Sequence, residues 1–152
     1  MTVLSFQMVV DAHDPHAQAD WWAETLGWEV EPQDEAFIRS MLDQGFATEA
    51  DTTRHRGRLV WKEGAAINDP SGVVPGAPRM LFVAVPEAKS VKNRVHIDLR
   101  PGVGGTDGGG EIDVASLRAA VEARGAVRVG EGRQGPHSWV VMQDPEGNEF
   151  CI

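Results

Sequence analysis

The stretch Arg94-Val95-His96-Ile97-Asp98-Leu99-Arg100 decides how the chain reads. Arg94, His96, Asp98 and Arg100 fall on one face, and Val95, Ile97 and Leu99 on the other. This is the period-2 pattern of a strand with one packed face and one polar face. The polar face carries a cation, an imidazole and a carboxylate on consecutive rungs, where a strand that merely faces solvent would carry Thr, Ser or Lys. The strand therefore reads as one wall of a pocket, and the rest of the chain as the frame around it.

Upstream, residues 80–85 form a strand closed by Pro86, and the Pro- and Gly-rich residues 65–78 form a long loop. Residues 57–63 are a strand, residues 47–56 a polar loop, and residues 34–45 a short helix with Phe37, Met41 and Leu42 on one face. Residues 28–31 make a short strand. Before it lies a helix with Asp14 as N-cap, Pro15 at the first helical position and Gly27 as its stop. Ala19, Trp22, Ala23 and Leu26 form its apolar stripe. Residues 3–10, rich in β-branched and apolar side chains, are the first strand, with Gln7 as its one long polar residue.

Downstream, residues 101–110 hold six Gly and read as a mobile connection and a lid. Within them, Gly102-Val103-Gly104-Gly105-Thr106-Asp107 fails the dinucleotide-binding spacing at its last position, and no Gly-Lys-Ser/Thr ending follows. Asp113 caps a second helix bearing Val114, Leu117, Ala120 and Val121, with Gly125 as its stop. Residues 126–129, 137–143 and 148–152 are strands, with the turn Asp144-Pro145-Glu146-Gly147 before the last.

The chain has 152 residues with 41% hydrophobic content, enough for one domain or two small modules sharing a core. Its net charge of -9, without a basic run, argues against nucleic-acid binding and against anionic membrane surfaces. A single cysteine, Cys151, excludes an intrachain disulfide. No basic n-region with an apolar h-region opens the sequence, and no apolar run reaches the roughly 20 residues of a membrane span. The expected location is cytoplasmic.

In order, the elements are strand, helix, strand, a short helix, strand, strand, and then strand, helix, strand, strand, strand, so that the βαβββ order appears twice. Module 1 covers about residues 1–86 and module 2 about residues 94–152 of a single domain, residues 1–152. The fold class is α+β: two paired βαβββ modules whose curved sheets enclose a shared cavity.

This repeat, with Asp14-Pro15, Trp21-Trp22, Leu26-Gly27-Trp28 and Asp144-Pro145-Glu146-Gly147-Asn148, resembles the vicinal oxygen chelate superfamily of glyoxalases, extradiol dioxygenases and bleomycin- and fosfomycin-resistance proteins. Val85-Pro86-Glu87, Lys89 and Lys92-Asn93-Arg94-Val95-His96-Ile97-Asp98 are similar to its glyoxalase-like domain subgroup. The resemblance implies a homodimer and a divalent metal (Zn, Ni, Mn or Fe) held by first- and last-strand residues of each module. Gln7 stands where glyoxalases place a Gln or His, and His96 where they place a His. The fourth-strand carboxylate position falls at Val83 or a neighbour, and the eighth-strand position at Cys151. Two of four positions thus depart from the pattern, and an absent metal is as consistent with this sequence as a bound one.

The residues themselves keep alternatives open. His96 reads as a metal ligand or general base, or as a histidine hydrogen-bonded to Asp98. Asp98 orients that imidazole or pairs with Arg94 or Arg100. Glu149, one rung from Cys151, supplies the missing carboxylate in a shifted register, or is a charged rim residue. Gln7 needs a partner for its amide, from the protein or from a ligand. Cys151 also reads as a small buried hydrophobe. Trp61, Phe82, Trp139 and Met142 line a cavity or fill the core. His13, His16, His55 and His137 read as solvated, with His137 also a pocket candidate.

Two functions follow. The first is a metal-free binder of an apolar or aromatic small molecule, with Trp61, Phe82 and Trp139 as walls and Gln7, His96, Asp98 and Cys151 as the other ligand-binding residues. The second is a divalent-metal-dependent glyoxalase-type lyase or isomerase acting on adjacent oxygens, with His96, Gln7 and Glu149 as metal ligands. The number of ligand-capable side chains converging near His96 discriminates them: three or more support the enzyme, one or two the binder.

Overall fold

The computed structural model describes residues 3–72, 74–101 and 113–152. The glycine-rich connection read as a lid lies outside the described residues, apart from Pro101. The chain divides into two units, Met1–Glu87 and Ala88–Ile152.

Unit 1 runs β1 (Met8–Ala12), α1 (Pro15–Leu26), β2 (Glu29–Val30), α2 (Glu35–Asp43), a 3-10 turn (Glu49–Asp51), β3 (Thr52–His55), β4 (Arg58–Trp61), β5 (Gly64–Asn68) and β6 (Met80–Ala84). α1 starts where Asp14 accepts the Ala17 N–H at 3.0 Å, and ends where Gly27 turns left-handed at φ 68°. The sheet order is β1-β6-β5-β2, with β1 parallel to β6 and the other pairs antiparallel. α1 packs on β5 and β6. Ala19, Ile67 and Phe82 are fully buried in this unit, and Phe82 alone contributes about 1.5–3 kcal/mol by burial.

Three expectations change here. The first strand begins at Met8, not residue 3, because its partner β6 begins at Met80 and offers residues 3–7 nothing to pair with. Val3, Leu4 and Phe6 are accordingly exposed. The third strand of the module is β5, of which residues 65–68 lie in the stretch read as loop. Gly64 is needed there, since a β-carbon would lie 2.6 Å from the Phe82 carbonyl oxygen. Finally, residues 57–63 hold β4, one arm of a separate hairpin with β3. Its two-residue turn, Arg56-Gly57, has positive φ at both positions (48° and 80°), the geometry that matches strand twist in tight hairpins.

Unit 2 runs β7 (Ile97–Asp98), α3 (Val114–Ala123), β8 (Val127–Gln134), β9 (His137–Gln143) and β10 (Glu149–Cys151). The sheet order is β7-β10-β9-β8, with β7 parallel to β10 and the other pairs antiparallel. With α2, the 3-10 turn and the β3–β4 hairpin set aside, each unit is a βαβββ module with the same strand order: first, fourth, third, second. The fold is α+β. Val121, Met142 and Phe150 are fully buried in unit 2.

The strand expected over residues 94–100 shrinks to Ile97–Asp98. Its partner β10 is short, and only Phe150↔Ile97 and Cys151↔Asp98 pair. Val95, expected on the packed face, is 79% exposed for lack of a covering strand. No helix among the described residues is long and apolar enough to cross a membrane.

Candidate functional site

In unit 2 the short parallel pairing of β7 with β10 sets Asp98 opposite Cys151. His96 lies two residues before Asp98, and its Nε2 is 3.4 Å from Asp98 Oδ1. One ligand-capable atom from each of His96, Asp98 and Cys151 falls within 4.8 Å of the others. Burial pushes the Cys151 thiol above its usual range, and the Asp98 carboxylate, which accepts its hydrogen bond, adds to this while Lys92 opposes it. Cys151 is buried, whereas His96 and Asp98 are exposed.

Glu149 lies outside that cluster. Lys89 Nζ donates to its Oε1 at 3.0 Å, the Asn93 N–H donates to its Oε2 at 2.9 Å, and Gln143 Nε2 adds a contact at 3.5 Å. Burial alone would raise its pKa, but the Asn93 N–H and the Lys89 ammonium prevail and hold the carboxyl at about 2. Its oxygens are occupied in tying residues 89–93 to β10. Gln7, the other sequence-derived metal candidate, is exposed before β1, and its Oε1 accepts from Arg79 Nη1 at 3.0 Å. Arg79 is itself paired with Glu31 at 2.7 Å.

Unit 1 holds an apolar cleft of 840 Å³. It is lined by Leu81 and Val83 of β6, Trp61 of β4, and Phe37, Met41 and Phe46, with Asp51, Lys62 and Glu63 among its polar lining. Strand alternation separates roles on β6: Leu81 and Val83 line the cleft, while Met80 and Phe82 are buried on the other face. Phe82 therefore belongs to the core. Phe37 and Phe46, 54% and 78% exposed, were not singled out as site residues. The Phe37/Met41 spacing on α2 was the available signal, and Ile38 rather than Phe37 is the buried residue of that helix.

Trp61 is also held through its backbone. Its N–H donates to Gln33 Oε1 and its carbonyl oxygen is 2.8 Å from His16 Nε2. His16 is 6% exposed, not solvated as expected, and stacks on His55 at 5.1 Å between centroids. His55 Nε2 is 2.7 Å from Asp20 Oδ2, which Arg56 also reaches at 2.9 Å. The signal missed was the spacing of His16 and Asp20, i and i+4 on α1. Trp139 lies in unit 2, along a 480 Å³ cleft with Arg118, Arg133 and Ser138.

A family model described as a glyoxalase-like domain matches residues 7–152. A glyoxalase/bleomycin resistance protein/dioxygenase family enzyme from Burkholderia phytofirmans superposes with TM-score 0.54 at 15% identity, over 96% of this chain and 94% of that one. A possible glyoxalase from Bacillus cereus gives 0.55 at 10% identity, over 99% and 98%. A member of the same superfamily from Sphaerobacter thermophilus gives 0.54 at 11% identity, over 99% and 95%. At these identities the likeness to solved structures is one of fold. No curated protein matches the chain in sequence.

Proposed function

The chain belongs to the glyoxalase-like domain family, and from that premise we propose that it binds an apolar or aromatic small molecule in the unit 1 cleft. The observation that carries this reading is the gathering of Phe37, Phe46, Met41 and Trp61 with Leu81 and Val83 around one cleft. Exposure of apolar and aromatic surface to water is unfavourable, so a ligand that covers these side chains is stabilised by removing that surface from water, and a few polar groups beside them suffice to orient it. Asp51, Lys62 and Glu63 are suited to that orienting role.

The test is titration with the fluorescent probe anilinonaphthalene sulfonate, followed by competition with a panel of aromatic compounds. Saturable, competed binding is expected, weakened about 10-fold by Phe46→Ala, in line with the burial of one aromatic side chain. Binding that never saturates, or that Phe46→Ala and Trp61→Ala leave unchanged, would overturn the reading.

A second reading is favoured by the three donors gathered in unit 2. Bonds of about 2.0–2.3 Å place two ligands of one ion within about 4.5 Å of each other. The His96–Asp98–Cys151 cluster, spanning 4.8 Å, fits one divalent ion after small side-chain rotations. Bound there, such an ion would act as a Lewis acid on adjacent substrate oxygens, the chemistry of a glyoxalase-type lyase or isomerase. His96 and Asp98, on the exposed side of the cluster, would then meet the substrate first.

A further inference from the structure

We propose that Cys151 Sγ, with His96 and Asp98, forms a site for a thiophilic divalent cation of the zinc type; the inference rests on the metal-dependent reading above. Cys151 and Asp98 are direct partners across β7 and β10, so their side chains leave the sheet on the same side. His96 is two residues from Asp98 and shares that side, as its 3.4 Å approach to the carboxylate confirms. Register alone therefore brings a nitrogen, an oxygen and a sulfur together, with no further element required.

The donor set selects the cation. Magnesium and calcium take oxygen ligands, and manganese suits carboxylate, carbonyl and water; a sulfur donor is poorly matched to all three. Zinc accepts imidazole, carboxylate and thiolate, commonly with three protein ligands and a fourth position left for water or substrate. The side chains of His96 and Asp98 are 40% and 58% exposed, so a cation has access from solution, with the buried sulfur beneath it. On binding, the cation replaces the thiol proton, which passes to solvent.

The experiment uses the full chain, stripped with chelator under reducing conditions and titrated with Co²⁺. One equivalent is expected to bind with a near-ultraviolet thiolate-to-cobalt charge-transfer band, displaced by Zn²⁺ and not by Mg²⁺ or Mn²⁺. In Cys151→Ser the band should vanish and affinity fall by more than about 100-fold, beyond the usual effect of losing an outer partner. Because Cys151 is the single cysteine, alkylation of the wild-type thiol gives a readout that needs no variant: Zn²⁺ should slow it and Mg²⁺ should not. Cobalt binding without the band, or a band that survives in Cys151→Ser, would overturn the thiolate assignment and leave the metal-dependent reading standing. Failure of the wild-type chain to bind either Co²⁺ or Zn²⁺ would overturn both.

Discussion

Gly132 on β8 lies directly opposite Trp139 on β9, and the indole fills the space that a β-carbon at position 132 would need. That β-carbon would sit 2.3 Å from Trp139 Cε2. Gly132→Ala should therefore push the indole aside, at an overpacking cost of about 1–3 kcal/mol. Urea denaturation and the tryptophan emission maximum check it. Unchanged stability and emission would mean that the indole moves away freely.

Glu149 ties residues 89–93 to β10, so Glu149→Gln should cost about 1.5–3 kcal/mol near neutral pH, the range for hydrogen bonds to a charged group. The sign with pH follows from its lowered value. A carboxyl held at about 2 against an ordinary 4.5 contributes fully above about pH 4.5 and loses its contribution as pH falls toward 2. Wild type and Glu149→Gln should thus converge in stability under acid, measured by melting temperature across pH. A gap that widens on acidification would refute the assignment.

The core and the cleft lining of unit 1 should separate stability from binding. Phe82→Ala, in the fully buried core, should destabilise unit 1 by about 3–5 kcal/mol. Phe46→Ala, at a largely exposed position, should leave the melting temperature nearly unchanged and weaken binding of the fluorescent probe. The reverse pattern would place the ligand somewhere other than this cleft.

Asp20 joins His55 and Arg56 of the β3–β4 hairpin to α1. Asp20→Asn removes the charge both of them face, so hairpin amides should exchange hydrogen faster while β5 and β6 keep their protection. Hydrogen exchange read by mass spectrometry resolves the two. Equal protection in the hairpin would show that its contact with α2 holds it unaided.

Much of this protein was determined by signals between sequence neighbours. Asp14-Pro15 and Gly27 bound α1, Asp113 starts α3, and the order strand, helix, three strands is legible in the second module, because caps and periodicity act over a few residues. The family resemblance rested on the same local motifs. Tertiary structure decided what depends on a partner distant in sequence. Gly64-Ala65-Ala66-Ile67-Asn68 has little strand pattern of its own and becomes β5 only between β6 and β2. The residues 94–100 alternate well yet pair at just two positions, since β10 is short. Glu149 and Cys151 sit one rung apart on the same strand, but sheet register ties one to Lys89 and Asn93 and turns the other toward Asp98 and His96. Alternation specifies the side of a strand; only pairing specifies the neighbour.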